Sequence, residues 1–160
     1  MRRLPFPVDD GDDVYAQCTD VRTKVLRAKY LSIRDTISDD GVDYFNHGTS
    51  GSLHLFQPRR AIGRVSHKQL KANYKSRLLN KERPERAVYD RIRLSTRRCP
   101  YCDVGKIKQV DHFLPQARYS SVIVNPLNLL PSLFAIVTLT KTMRYQLRPR
   151  ILYFIPISTM

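Results

Sequence analysis

Three short motifs hold the residues whose types could do chemistry. Arg98-Cys99-Pro100-Tyr101-Cys102 puts two thiols on a proline turn. Val110-Asp111-His112-Phe113-Leu114-Pro115 sets a carboxylate beside an imidazole. Asn125-Pro126-Leu127-Asn128-Leu129-Leu130-Pro131 follows, so that Cys99 to Pro131 spans 33 residues. Two thiolates on a tight turn suit half of a zinc site. An imidazole titrates close to neutral pH and can accept a proton from water there. Taken alone, the Asp-His pair reads equally well as a surface salt-bridging pair, and the thiol pair has two readings.

The same four letters, Cys-Pro-Tyr-Cys, occur in glutaredoxin-type redox sites, where a helix N-terminus activates the first thiol. That context requires a strand before the pair and a helix directly after it. Here Arg97-Arg98 precede it, Asp103-Val104-Gly105 signals a turn, and Lys106-Ile107-Lys108-Gln109-Val110 alternates like a strand. No later segment supplies a Thr-Val-Pro or a Gly-Gly. A zinc knuckle fits better: a cysteine turn, a strand ending in Asp111-His112, a loop with Pro115 and Tyr119, and a second strand at Val122-Ile123-Val124 leading to Asn128.

This series resembles the HNH family of nucleases, with their ββα-metal fold. Similar members read Cys-Pro-x-Cys, Leu-Asp-His-x-Leu-Pro-Lys, Asn-Pro-x-Asn-Leu-Val-Pro and then Cys-x-x-Cys-Asn-x-x-Lys. The likeness covers about Tyr89 to Ser132, with Val88-Tyr89-Asp90-Arg91-Ile92 as lead-in, and rests on several motifs agreeing in order and spacing. It implies metal-dependent hydrolysis of DNA phosphodiester bonds. By resemblance His112 is the general base and Asp111 ligates a catalytic divalent ion (Mg, Mn or Zn). Asn128 orients the histidine or braces the loop, and Cys99 and Cys102 supply half of a structural zinc site. Gln116 stands where relatives often carry Lys. Some relatives work in phage defence beside an ATPase.

The pattern breaks after Ser132. The family's second cysteine pair and last metal ligand belong there, but no Cys, His, Asp or Glu follows His112. The last 49 positions hold no acid, against about one residue in four charged in average usage. One expectation accounts for both features: the tail, 133–160, is out of frame. Joining the last base of each codon to the first two of the next, Phe134 to Lys141 permits Asp-Cys-Asn-x-x-Lys, and Phe154 to Met160 permits His-Pro-Tyr-Phe-Asp-Asp. The coding DNA tests this. Two thiolates do not close a tetrahedral zinc site, so the chain as written reads as a nuclease whose site is incomplete. Ile151-Leu152-Tyr153-Phe154-Ile155 is a β-prone run.

The elements that must position these motifs precede them. Asp12 or Asp13 is expected to cap a helix running to about Thr36, with Tyr15, Cys18, Val21, Val25 and Leu26 as one buried stripe. Cys18 reads there as a small buried hydrophobe. Asp39 to Gly63 contains four of the six glycines and reads as a long loop with a short strand at Ser52–Phe56. His47, His54 and His67 lack ligand spacing and read as surface residues. Ser66 caps a second predicted helix through about Leu79, with Leu70, Tyr74, Arg77 and Leu78 on one face. Pro84 opens a third, Glu85 to about Leu94, with Ala87, Val88, Ile92 and Leu94 inward.

Charge points to a polyanion. Twenty-eight Lys and Arg face 14 Asp and Glu, a net charge of +14. Arg59 to Arg98 alone holds 14 of the cations. Lys68, Lys71, Lys75, Arg77, Arg86, Arg91 and Arg93 decorate the two later helices as a phosphate-contacting face. Lys68, Lys71, Lys75, Arg97 and Arg98 are the candidate nucleic-acid contacts. Hydrophobic content of 42% excludes wholesale disorder. Tyr119 to Thr140 is uncharged, but Pro126, Pro131, Asn125 and Asn128 argue against a membrane span. The first residues lack a secretory core, so a reducing cytoplasm without disulfides is expected.

The expected fold class is α+β: a basic, mainly helical region over 1–83, then an incomplete ββα-metal module over 84–132. The expected function is an HNH endonuclease acting on DNA. The alternative is a non-catalytic nucleic-acid-binding or interaction protein that keeps a zinc-knuckle remnant. A thiol oxidoreductase is a third reading, and it requires a reactive Cys99.

Overall fold

The computed structural model describes residues 4–21 and 23–133, together with the backbone of a strand at 153–154. The chain mixes helix and strand, in keeping with an α+β class. Strand β1 (Leu4–Pro5) leads to helices α1 (Gly11–Cys18), α2 (Lys24–Leu31) and α3 (Arg34–Thr49), then α4 (His67–Arg77) and α5 (Arg86–Leu94). Strands β2 (Gln109–His112) and β3 (Leu129–Ser132) pair antiparallel, and β4 (Tyr153–Phe154) pairs parallel with β1. The out-of-frame reading of the tail falls otherwise outside the described residues.

The single predicted helix from Asp12 to Thr36 is three helices. Its cap is Asp10, whose carboxylate accepts from the N–H groups of Asp12 and Asp13. At the first break an Arg77 guanidinium N–H donates to the Asp20 carbonyl. Val25 points to solvent, while Tyr15 and Cys18 stay in the core. Two tyrosine hydroxyls then tie the pieces together. Tyr15 donates to the Tyr30 carbonyl at 2.9 Å and Tyr30 to the Gln69 carbonyl at 3.0 Å.

The predicted loop from Asp39 is helical as far as Thr49. Within this helix the glycines serve packing: a Cβ on Gly41 would sit 3.3 Å from the Asn125 amide, and Gly48 is buried; Gly51 and Gly63, beyond it, take positive φ and make turns. The expected strand at Ser52–Phe56 is a 3-10 turn at Leu53–Leu55. Helix α4 follows expectation, with Ser66 and Gln69 forming a capping box and Leu70, Tyr74, Arg77 and Leu78 buried. In α5 the buried face is Val88, Tyr89 and Ile92; Ala87 and Leu94 are exposed, because a short helix crossing the core offers one narrow stripe. The expected strand at Val122–Val124 is a 3-10 turn, Ser120–Val122, and the real partner of β2 is β3.

One apolar cluster joins Val14, Tyr15, Ile37, Leu70, Leu78 and Val88 from the helices to Val110, Ile123, Val124 and Leu129 of the strand module. Among the described residues no helix is long and apolar enough to cross a membrane.

Candidate functional site

The knuckle forms before the strands. Arg98 and Lys106 pair in an antiparallel bridge, and within it Cys99 N–H donates to the Gly105 carbonyl at 2.9 Å. Asp103 N–H donates to the Cys99 carbonyl at 2.7 Å, and Asp103 takes a left-handed φ of 56° to make the turn. A Cβ at Gly105 would meet the end of the Leu133 side chain, which would have to shift. Cys99 is buried and Cys102 half-exposed. The N–H groups of Gly105 and Val104 point at the Cys102 sulfur and hold its thiol below the ordinary range, which prepares a thiolate. Bends lead from the knuckle straight to β2, with no helix after Cys102, so the redox context is missing here. Cys18 contrasts with it. Burial, reinforced by Glu85, pushes its thiol up to about 12.

Strand β2 carries Asp111 and His112, opposite Leu130 and Leu129 of β3. The strand is aligned from below by Val110, whose N–H donates to the Tyr89 hydroxyl at 3.1 Å. Asp111 is 7% exposed and His112 3%. His112 Nε2 lies 2.8 Å from the Ile123 carbonyl. A carbonyl only accepts, so the proton sits on Nε2, and in the neutral ring Nδ1 is the basic nitrogen. The Tyr74 ring packs edge-on against the imidazole, with centroids 4.8 Å apart. Burial raises the Tyr74 hydroxyl far above its ordinary range, with Tyr89 and Asp111 adding to the shift, so it stays protonated.

Asn128 braces the loop and does not orient the histidine directly. Its Oδ1 accepts from Leu114 N–H at 2.7 Å, and its Nδ2 donates to the Val122 carbonyl at 3.1 Å and the Leu114 carbonyl at 3.4 Å. The Tyr44 hydroxyl donates to the same Oδ1 at 3.4 Å. This staple closes the segment 114–122 and sets Ile123, and so acts on His112 at one remove.

The cations divide into two sets. Arg59 is held by Asp40, Arg77 by Glu85, Arg86 and Arg93 by Asp90, and Arg91 by Asp9. Arg77 is moreover 5% exposed and so faces inward, while Arg86, Arg91 and Arg93 of the predicted phosphate-contacting face are ion-paired at the surface. Lys68, Lys75, Arg97 and Arg98 are exposed and Lys71 is half-exposed, with no acid partner among the described residues.

Neither metal set closes among the described residues, where no three His, Cys, Asp or Glu side chains gather. Cys99 and Cys102 would supply two of the four ligands a structural zinc needs. Asp111 suits a hard divalent cation in chemistry and is the one carboxylate of its strand. Tyr74 and the Ile123 carbonyl were not legible in the sequence. Tyr74 reads there as one core residue among several, and a backbone carbonyl carries no sequence signal.

No family model and no solved structure matches this chain. Protein ea31 of Escherichia phage lambda is 29% identical over 142 residues, a stretch covering 82% of this chain and 48% of ea31. The chain thus spans about half the length of that curated relative.

Proposed function

We propose that the chain carries an HNH-type nuclease site for metal-dependent hydrolysis of DNA, with His112 as general base. One observation supports this most: His112 ends a two-stranded antiparallel unit, fixed on Ile123 so that Nδ1 is basic, directly beside Asp111 and downstream of a preformed cysteine knuckle. Nδ1 takes the proton of a water whose oxygen forms the new bond to phosphorus, while the bond to the leaving sugar oxygen breaks. Asp111 would hold the divalent ion, which when bound supplies Lewis-acid stabilisation of the phosphate and the departing oxygen. Asn128 keeps the loop closed, and Lys68, Lys71, Lys75, Arg97 and Arg98 hold the backbone phosphates.

The second reading, a nucleic-acid-binding protein without hydrolysis, is favoured by the burial of His112 under Tyr74. Relaxation of supercoiled plasmid with Mg, Mn or Zn separates the two. The expected result is slow, metal-dependent nicking that disappears in His112→Ala and in His112→Asn. Nicking that survives either substitution removes His112 as the base. DNA binding with no nicking under any of these metals returns the second reading.

A further inference from the structure

The start of helix α4 and the segment before it bring together basic side chains that the sequence scatters. His67 opens the helix, half-buried, and its Nδ1 lies 2.9 Å from the Ser120 hydroxyl. Ser120 is fully buried and pinned by the segment before the helix. Its N–H donates to the Arg59 carbonyl at 2.9 Å and its hydroxyl lies 3.3 Å from the Arg60 carbonyl. The Arg59 side chain is itself anchored on Asp40 at 2.8 Å, so the backbone at 59–60 is fixed while the Arg60 side chain remains exposed. Lys71 stands one turn along α4 and bears on the same imidazole. Burial first, then Lys71 and Arg60, hold His67 below its ordinary pKa. No acid among the described residues pairs with Arg60, His67 or Lys71. Arg60 and Lys71, held beside this imidazole without a counter-charge, favour an anion.

The position of this cluster gives it a use. The 3-10 turn that begins at Ser120 runs directly into Ile123, whose carbonyl holds His112. The same helix α4 sends Tyr74 against the His112 ring. We propose that Arg60, His67 and Lys71, set around Ser120, form a phosphate subsite that takes a backbone phosphate of duplex DNA next to the His112 site. The subsite rests on the nucleic-acid part of the function proposed above, and not on hydrolysis. Its occupancy would press on the turn that positions the base.

The test is the salt dependence of binding to a short DNA duplex, without added divalent metal, so that no cleavage is needed. Removing one cation from a phosphate makes the slope of log K against log salt shallower by about 0.9. Arg60→Gln with Lys71→Gln is expected to flatten the slope by about 1.8. Arg86→Gln, which removes a cation already committed to Asp90, is expected to leave it unchanged. All three substitutions fall on side chains outside the apolar core, and a circular-dichroism melt confirms the fold of each variant. An unchanged slope in the double variant overturns the subsite, as does an equal loss in Arg86→Gln, which reduces the effect to net charge. Failure of the wild-type chain to bind the duplex overturns it as well. Normal slopes with no plasmid nicking strike the hydrolysis alone.

Discussion

The helical body and the strand module share one apolar core but differ in how their connecting segments are fixed. In the body, Val14, Tyr15, Leu70, Leu78 and Val88 are almost fully buried and pack as an apolar cluster, with one buried ion pair, Arg77 to Glu85, at its edge. The strand module buries Ile123, Leu129 and Leu130 just as fully, but its turns are also set by directed hydrogen bonds: Asn128 bonds Leu114 and Val122, Val110 N–H donates to the Tyr89 hydroxyl, and His112 Nε2 donates to the Ile123 carbonyl. Apolar packing is tolerant of small shifts, whereas a hydrogen-bonded loop fails when one donor is removed. The module is therefore the place where a side chain can be aimed, and His112 is the side chain it aims.

Substitutions can sharpen or break that contrast. The largest effect is expected at the buried pair. Arg77→Met leaves Glu85 charged in the core and is expected to cost about 3–5 kcal/mol in urea unfolding. Adding Glu85→Gln should recover part of that loss; no recovery would mean that Arg77 acts mainly through the Asp20 carbonyl. Asn128→Ala is expected to cost about 2–3 kcal/mol by leaving Leu114 N–H and the Val122 carbonyl unpaired. It should also open the segment 114–122 to proteolysis while the helices stay protected. Uniform loss of protection would erase the distinction between the two regions.

Smaller effects follow from the titrating groups. Cys102, with its thiolate favoured by two N–H groups, is expected to alkylate in the native protein. Cys18, pushed up to about 12 and buried, should react only on unfolding. Mass mapping of the alkylated sites decides this. The smallest effect concerns His67. Its folded pKa lies below the ordinary 6.5, so the unfolded chain binds the proton more readily. That contribution to stability is complete above pH 6.5 and is lost as pH falls through the folded value. His67→Gln should flatten the acid limb of the stability profile; an unchanged limb assigns it to carboxylates.

The sequence and the structure agree where the signal is local. Ser66 announces its cap by identity and position, and Leu70, Tyr74 and Leu78 announce a buried face. The break after Cys18 was not legible, and the contact made there comes from Arg77, far along the chain. Gly41 and Gly48 read as loop residues because the sequence cannot show that Asn125 needs the space of Gly41. The Asp111-His112 pair was legible as a motif, and its strand was placed correctly. Its partner strand was not, since Val122-Ile123-Val124 has the better β composition yet Asn128 folds it into a turn.

The account turns on one nitrogen atom. If the module exists to aim His112, the neutral ring must carry its proton on Nε2 and keep Nδ1 basic. Long-range nitrogen–proton NMR spectra of the native protein, recorded above the histidine titration range, read this directly. The predicted result is the Nε2–H form, with that proton slowed in exchange by the Ile123 carbonyl. A ring with its proton on Nδ1, or one that averages freely between the two forms, would contradict the assignment of His112 as the base.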